Sequence, residues 1–311
     1  MQASVDLFGA VRTLGSRFVA NIDGPLFSIA LVILAVGIAT LFSAASGFPG
    51  RLTGQVVNIA VALTVMWVMA QIPPQTLMRF AVPVYLVGVV LLVGVALFGE
   101  VVNGARRWLH VGVTRFQPSE MMKIAMPLML AWFFQRREGL VTWREWIAAA
   151  VILAVPILLI AKQPDLGTAL LVAAAGFYVI FLAGLSWKIM IGLAIAGGAS
   201  LPVLWSLLHD YQRRRILTLL DPTTDPLGAG YHIIQSTIAV GSGGLTGKGW
   251  LEGTQTHLEF IPERTTDFIF AVYSEEFGLV GNAALLILYL LLIGRGMVIA
   301  ANAPTLFTRL L

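Results

Sequence analysis

The chain of 311 residues contains no cysteine. That absence excludes disulfides, thiolate-ligated zinc, iron–sulfur clusters and a thiol nucleophile, and it leaves the compartment open. Charge is also scarce, with Asp, Glu, Lys and Arg at 12% against 58% hydrophobic residues. With a mean hydropathy of +0.86, the chain is too apolar for a soluble domain of this length. The net charge of +4 is small and no basic tract is interleaved with aromatics, so a nucleic-acid partner is not expected. The alternating strands of a transmembrane barrel are missing. Residues 1–24 carry Arg12 and Arg17 but lack the apolar core and cleavage pattern of a signal peptide, so the first apolar run is read as retained.

What is present is a series of uncharged runs near the length of about 20 residues that spans a bilayer as a helix. They fall at 26–45, 55–71, 80–98, 119–135, 147–161, 166–185, 187–208 and 277–294. The expected fold is all-α, a polytopic transmembrane bundle of about eight spans forming a single integral membrane domain over 1–311. Lys and Arg in the short loops favour a cytoplasmic N-terminus, nine against five. The segment 209–266 between spans seven and eight then lies outside and is too long for a mere connection. Its Trp250, Phe260 and glycine-dense "GSGGLTGKGW" argue for a folded extracytoplasmic cap. Arg51, Arg106, Arg107, Arg115 and Lys162 also fall outside, against the usual bias. A polyanionic ligand would explain them.

Several stretches carry candidate chemistry, each with a plainer alternative. "GSGGLTGKGW" fails as a nucleotide loop, because Ser242 stands where the first glycine is needed and Gly249 follows Lys248 where Ser or Thr should hold magnesium. In "NGARRWLHVGVTRFQPSE", Arg106, Arg107 and Trp108 read either as an interfacial belt or as a site for phosphate or pyrophosphate, whose geometry guanidinium matches. Glu120 and Lys123 share a helix face, as an interfacial ion pair or as the lining of a wet cavity. Asp165 is placed to cap span six and can line a cavity while doing so. One or both of Glu275 and Glu276 read as marking the water boundary of the last span. In "PERTTDFIFAVYSEEFG", Thr266 or Asp267 reads as the cap of a helix running on for about 28 residues, longer than a hydrocarbon core of roughly 30 Å. At the mouth of a cavity the Asp267 carboxylate would be partly desolvated, with Arg264 nearby opposing the effect, a balance suited to a general base.

"GARRWLHVG", "FQPSEMMK", "KQPDLGTALL" and "GSGGLTGKGWLEGTQTHLEFIPERTTDFIFAVYSEEFGLVG" together resemble the shape, elongation, division and sporulation (SEDS) peptidoglycan polymerases, from the first span to residue 311. "FQPSE" and "PERTTDF" resemble the RodA-type elongation branch more than the FtsW-type division branch. The resemblance implies a glycosyltransferase of the bacterial cytoplasmic (inner) membrane that polymerises lipid II into glycan strands and releases undecaprenyl pyrophosphate. It places the essential acid on Asp267 and polar cavity positions on Trp108, Glu120, Lys123 and Asp165, with Arg106, Arg107, Lys248, Glu263 and Arg264 in or beside the matched motifs.

Under that implication Asp267 takes the proton of the acceptor sugar hydroxyl. Some of Arg106, Arg107, Lys123, Lys248 and Arg264 stabilise the departing pyrophosphate. There is room for a divalent cation, Mg or Mn, held by a carboxylate, and for no other cofactor. The implied partners are lipid II, the growing glycan strand, membrane lipids and a class B penicillin-binding protein. Two rivals stand beside the polymerase: a lipid II transporter (flippase) and a scaffold for that penicillin-binding protein. The family has ten spans, so ending at Leu311 after eight implies a truncated piece without the last two.

Overall fold

The computed structural model describes residues 21–46, 49–102, 105–111, 114–138, 141–208, 210–226 and 228–311, apart from the side chains of 49, 100–102, 105, 106, 110, 111, 114, 115, 204, 207, 211 and 229. The reading of the N-terminal segment lies largely outside the described residues. All the expected spans are helical: α1 (Gly24–Ala44), α2 (Pro49–Ala70), α3 (Pro74–Phe98), α4 (Pro118–Gln135), α5 (Trp143–Lys162), α6 (Leu166–Leu182), α7 (Trp187–Leu207) and, far downstream, α11 (Ile269–Ala301). Among the described residues five of these, α1, α2, α3, α5 and α11, are long and apolar enough to cross a membrane, and α6 and α7 hold shorter apolar stretches. Their outer faces expose large apolar side chains such as Val90, Leu158, Leu170 and Leu286. A helix satisfies its own backbone, so lipid can cover such faces. The chain is a multi-pass helical membrane protein.

The segment 209–266 is folded over its described residues, as α8 (Asp210–Leu220), a 3-10 turn (Pro222–Thr224), α9 (Ala229–Ser242) and α10 (Thr254–His257); α12 (Leu306–Leu310) closes the chain. One stretch departs from the all-helical expectation. The connection between α3 and α4 forms β1 (Glu100–Val102), β2 (Ala105–Val111) and β3 (Thr114–Phe116), an antiparallel sheet in the order β1-β2-β3. The register pairs Val102 with Ala105 and Val111 with Thr114, leaving two residues for each connection. Two-residue hairpin loops favour Asn-Gly, the dipeptide found at 103–104.

The chain divides into two compact units, residues 1–71 with 197–296, and residues 72–196 with 297–311. In the second unit α4 is the packing centre. Met122, Met126, Leu130 and Phe134 recur every four residues, so they form one stripe, and each is fully buried. That stripe sits among α3, α5, α6 and α12, and the Tyr85 hydroxyl of α3 donates to the Ile152 carbonyl of α5 at 2.7 Å.

In the first unit α11 is two helices joined at Gly278, whose φ of 63° and ψ of −160° lie in a region essentially reserved for glycine. The continuous helix expected from residue 267 is therefore broken. A break orphans backbone groups that would otherwise pair within the helix, and the glycine-dense loop supplies their partners. Lys248 and Gly249 donate backbone N–H groups to the Glu275 and Glu276 carbonyls at 3.0 Å. Leu279 and Val280 donate to the Gly244 and Leu245 carbonyls at the same distance. A Cβ on Gly247 would come within 2.0 Å of the Glu276 carbonyl oxygen, so the loop can approach this closely only without a side chain. The glycines thus serve backbone docking.

Candidate active site

The sequence-predicted residues fall into two groups, one in each unit. In the second unit, β2 carries Arg107 and Trp108. The Arg107 guanidinium donates to the Gln163 carbonyl at 3.4 Å and to the Pro164 carbonyl, and lies 4.0 Å from an Asp165 oxygen. Asp165 is 8% exposed and caps α6 by accepting from the Thr168 N–H at 3.3 Å. Its second oxygen accepts from Gln117 Nε2 at 3.0 Å. The capping reading holds, and the same carboxylate also anchors a polar cluster of Arg107, Gln117 and Asp165. Trp108 is half-buried beside Arg107 on the same strand. The side chain of Arg106 lies outside the described residues.

One turn into α4, Lys123 Nζ donates to Glu120 Oε2 at 2.8 Å. The two side chains are 34% and 54% exposed, so the pair is accessible to a ligand or to water. Its helix spacing makes the contact local and inexpensive to form.

In the first unit, Lys248, Glu263, Arg264 and Asp267 lie along one stretch of chain that is tightly tethered except at Asp267. Arg264 is only 6% exposed. Its fork donates to the Ala44 carbonyl at 2.9 Å, the Thr256 carbonyl at 2.9 Å, the Ser46 carbonyl at 3.2 Å and Glu259 at 3.2 Å. It therefore ties the turn to the end of α1 and to α10. Glu263 is exposed and adopts a left-handed φ of 50°, strained for a residue with a Cβ. That conformation turns its carbonyl back to accept from the N–H groups of Thr266 at 3.0 Å and Phe268 at 3.3 Å, while its carboxylate accepts from Thr266 Oγ1 at 3.1 Å. Arg51, at the start of α2, donates to Thr265 Oγ1 at 2.8 Å.

Asp267 stands at the end of this turn, exposed, and no described residue donates to its carboxylate. The helix begins at Ile269, and the Thr266 hydroxyl is committed to Glu263, so neither residue supplies the expected side-chain cap. Thr265, Thr266 and Ile269 line a cleft of about 460 Å³ between α1 and α2, with Arg51, Gln55 and Asn58.

Two acidic residues that the sequence assigned to the water boundary have a different role. Glu275 and Glu276 are 0% and 1% exposed. Glu275 accepts from Lys248 Nζ at 2.7 Å, from the N–H groups of Gln255 at 2.8 Å and Thr256 at 3.2 Å, and from Thr256 Oγ1 at 3.1 Å. A buried carboxylate is tolerable only with such a full complement of donors. Lys248 gives its remaining reach to Thr254 Oγ1 at 2.7 Å. Glu276 accepts from Ser43 Oγ of α1 and from the Leu251 N–H, while its other oxygen is buried without a described partner. The signal in the sequence was the repeated alternation of charge and glycine near 245–253, whose donors lie some twenty residues from the acids they serve.

No group of three or more His, Asp or Glu side chains converges among the described residues. The donors present therefore do not make a protein cage for a metal.

The chain matches the FtsW, RodA and SpoVE family model, described as "Cell cycle protein", over residues 25–311. It is 51% identical over 293 residues to the peptidoglycan glycosyltransferase MrdB of Escherichia coli strain K12, covering 94% of this chain and 79% of that protein. A chain solved in work on the structural coordination of polymerization and crosslinking by a peptidoglycan synthase complex superposes with a TM-score of 0.76 at 32% identity, covering 93% of this chain and 81% of that one. The Rod shape determining protein RodA of Thermus thermophilus gives a TM-score of 0.65 at 30% identity, with 93% and 78% covered. On these matches the chain belongs to the FtsW, RodA and SpoVE family.

Proposed function

We propose that this chain acts as a peptidoglycan glycosyltransferase that polymerises lipid II, with Asp267 as the general base. The observation that carries the role is the contrast within one turn: Arg264, Glu263 and Thr266 are locked by hydrogen bonds, while the Asp267 carboxylate is exposed and unspent. A base must be held and free to accept, and the tethered turn with its unspent carboxylate supports that reading.

In the proposed step the acceptor sugar hydroxyl attacks the anomeric carbon of the donor. The new carbon–oxygen bond forms as the bond to the pyrophosphate breaks, the electron pair leaves with undecaprenyl pyrophosphate, and the hydroxyl proton passes to Asp267. The family resemblance assigns Arg107, Lys123 and Arg106 to the pyrophosphate charge and Trp108 to the substrate cavity; within their own unit Glu120 holds Lys123 and Asp165 lies beside Arg107. Lys248 and Arg264 act from behind, keeping the loop and turn in place. Glu263 shapes the turn that presents Asp267. A magnesium or manganese ion, held by a carboxylate and the substrate phosphates, would supply charge neutralisation at the leaving group.

The lysine and arginine bias of the short loops supports a cytoplasmic N-terminus in the bacterial cytoplasmic membrane, with 209–266 on the outer side. The relative solved in work on polymerization and crosslinking by a peptidoglycan synthase complex supports a crosslinking partner, which the family resemblance implies to be a class B penicillin-binding protein. Purified chain supplied with lipid II alone tests the proposal: glycan strands are expected, and lipid translocation with no strands would overturn it in favour of transport. A chelator arm reports on the metal, with a fall in rate expected.

A further inference from the structure

Helix α8, "DYQRRRILTLL", is used in two ways. Arg213 faces inward: its guanidinium donates to the Trp205 and Ser206 carbonyls at 3.0 and 2.7 Å, terminating α7, and lies 3.9 Å from Asp210. Arg214 and Arg215 do the opposite. Both are exposed, and neither makes an ion pair or hydrogen bond with a described residue. They wall a cleft of about 720 Å³ with Thr218, Thr224, Asp221 and Asp225. The two carboxylates there are engaged by backbone: Asp221 accepts from the Thr223 N–H at 3.1 Å and Asp225 from the Gly228 N–H at 3.1 Å.

The apolar side of α8 is equally unspent. Leu217, Leu219 and Leu220 are 49%, 67% and 77% exposed. Residues three and four apart share a helix face, so Arg214 rises beside Leu217 and Arg215 beside Leu219. A soluble anion would satisfy the guanidiniums and leave the leucines in water. An apolar protein surface would cover the leucines and strip the guanidiniums of solvent. A ligand with an anionic head joined to an apolar body satisfies both, and the membrane of a multi-pass protein supplies one.

We propose that α8 lies at the membrane surface and binds anionic phospholipid, with Arg214 and Arg215 at the level of the phosphates and Leu217, Leu219 and Leu220 in the acyl boundary. The site is distinct from the Asp267 turn and does not depend on the polymerase reading.

Two measurements on the full chain test this. In neutral detergent micelles, titration with phosphatidylglycerol, phosphatidylcholine and inorganic pyrophosphate should show a preference for phosphatidylglycerol. Each basic residue near an anionic surface is worth about five-fold in affinity, so Arg214→Gln with Arg215→Gln should weaken phosphatidylglycerol binding about thirty-fold. Equal binding by the variant and the parent, or pyrophosphate bound as tightly as phosphatidylglycerol, would overturn the proposal. The absence of native cysteine makes Leu219→Cys a clean site for a nitroxide. In vesicles containing phosphatidylglycerol, the label should be more accessible to oxygen than to a water-soluble nickel chelate. A label open to the chelate, or shielded from both reagents as a protein partner would shield it, contradicts the membrane assignment.

Discussion

Asp267, in the turn just before the helix that starts at Ile269, and Glu275, within the first segment of that helix, are two carboxylates eight positions apart. Glu275 is fully buried and accepts from Lys248, Gln255 and Thr256. Asp267 is exposed and accepts from no described residue. On the proposed function, carboxylates of similar intrinsic acidity are divided between scaffold and chemistry by the number of donors pointed at them. The difference predicts that one side chain controls rate and the other controls folding.

The largest expected effect lies at the exposed member. Asp267→Asn keeps size and polarity and should lower lipid II polymerisation by about 10²- to 10⁴-fold, the range for losing a general base. Its thermal midpoint should match the parent, because no described hydrogen bond is lost. Retained polymerisation would reject the role.

At the buried member the loss should appear in stability. Glu275→Ala leaves Lys248 and two backbone N–H groups without their acceptor and should cost about 3 kcal/mol, read from denaturation in detergent. A neutral result would mean that the loop is not held by this carboxylate. The dock behind it can be probed through Gly278→Ala, which places a Cβ 2.3 Å from the Gly247 nitrogen at a backbone conformation closed to other residues. A cost of about 2 kcal/mol is expected from that strain, more if the loop detaches. Proteolysis within 243–253 should accelerate in that variant, and an unchanged pattern would argue against the dock.

The smallest effect concerns Asp23, which caps α1 through the Leu26 N–H and pairs with Arg295 at 2.7 and 3.0 Å. Hydrogen bonding from Arg295, with help from the Leu26 N–H, holds its pKa at about 2 against an ordinary 3.8. A depressed acid contributes stability above its unfolded pKa and loses it as pH falls through the folded one. The gap in melting temperature between the parent and Asp23→Asn should therefore be flat above about pH 5 and close as pH falls from 4 towards 2. A gap that varies between pH 6 and 8 would assign it to another group.

Much of this frame was legible in the sequence, because long apolar runs can hide in a bilayer only as helices. The Asp165 cap was legible for the same reason, being local chemistry at a helix start. The misread features depend on longer reach or on competition between signals. The sequence of the strands at 100–116 contains an Asn-Gly dipeptide, yet the arginines and Trp108 drew the reading towards an interfacial belt. The break at Gly278 directly follows Ser274, Glu275, Glu276 and Phe277, where the charges read as the edge of a span and a single glycine does not announce that two helices join there. Burial of Glu275 and Glu276 was hidden because an acid near the end of a span ordinarily meets water, and the donors that change this come from 248–256 and from Ser43. Arg264 reads as a free cation beside a catalytic acid, but its partners at Ala44 and Ser46 are more than two hundred residues away.

The division between scaffold and chemistry is tested most directly by measuring, in one set of samples, the polymerisation rate per folded molecule and the folded fraction for Asp267→Asn and Glu275→Gln. Asp267→Asn should keep its folded fraction and lose rate per folded molecule, while Glu275→Gln should lose folded fraction and keep that rate. A Glu275→Gln protein that is fully folded but inactive, or an Asp267→Asn protein whose lost activity follows its unfolding, would contradict the account.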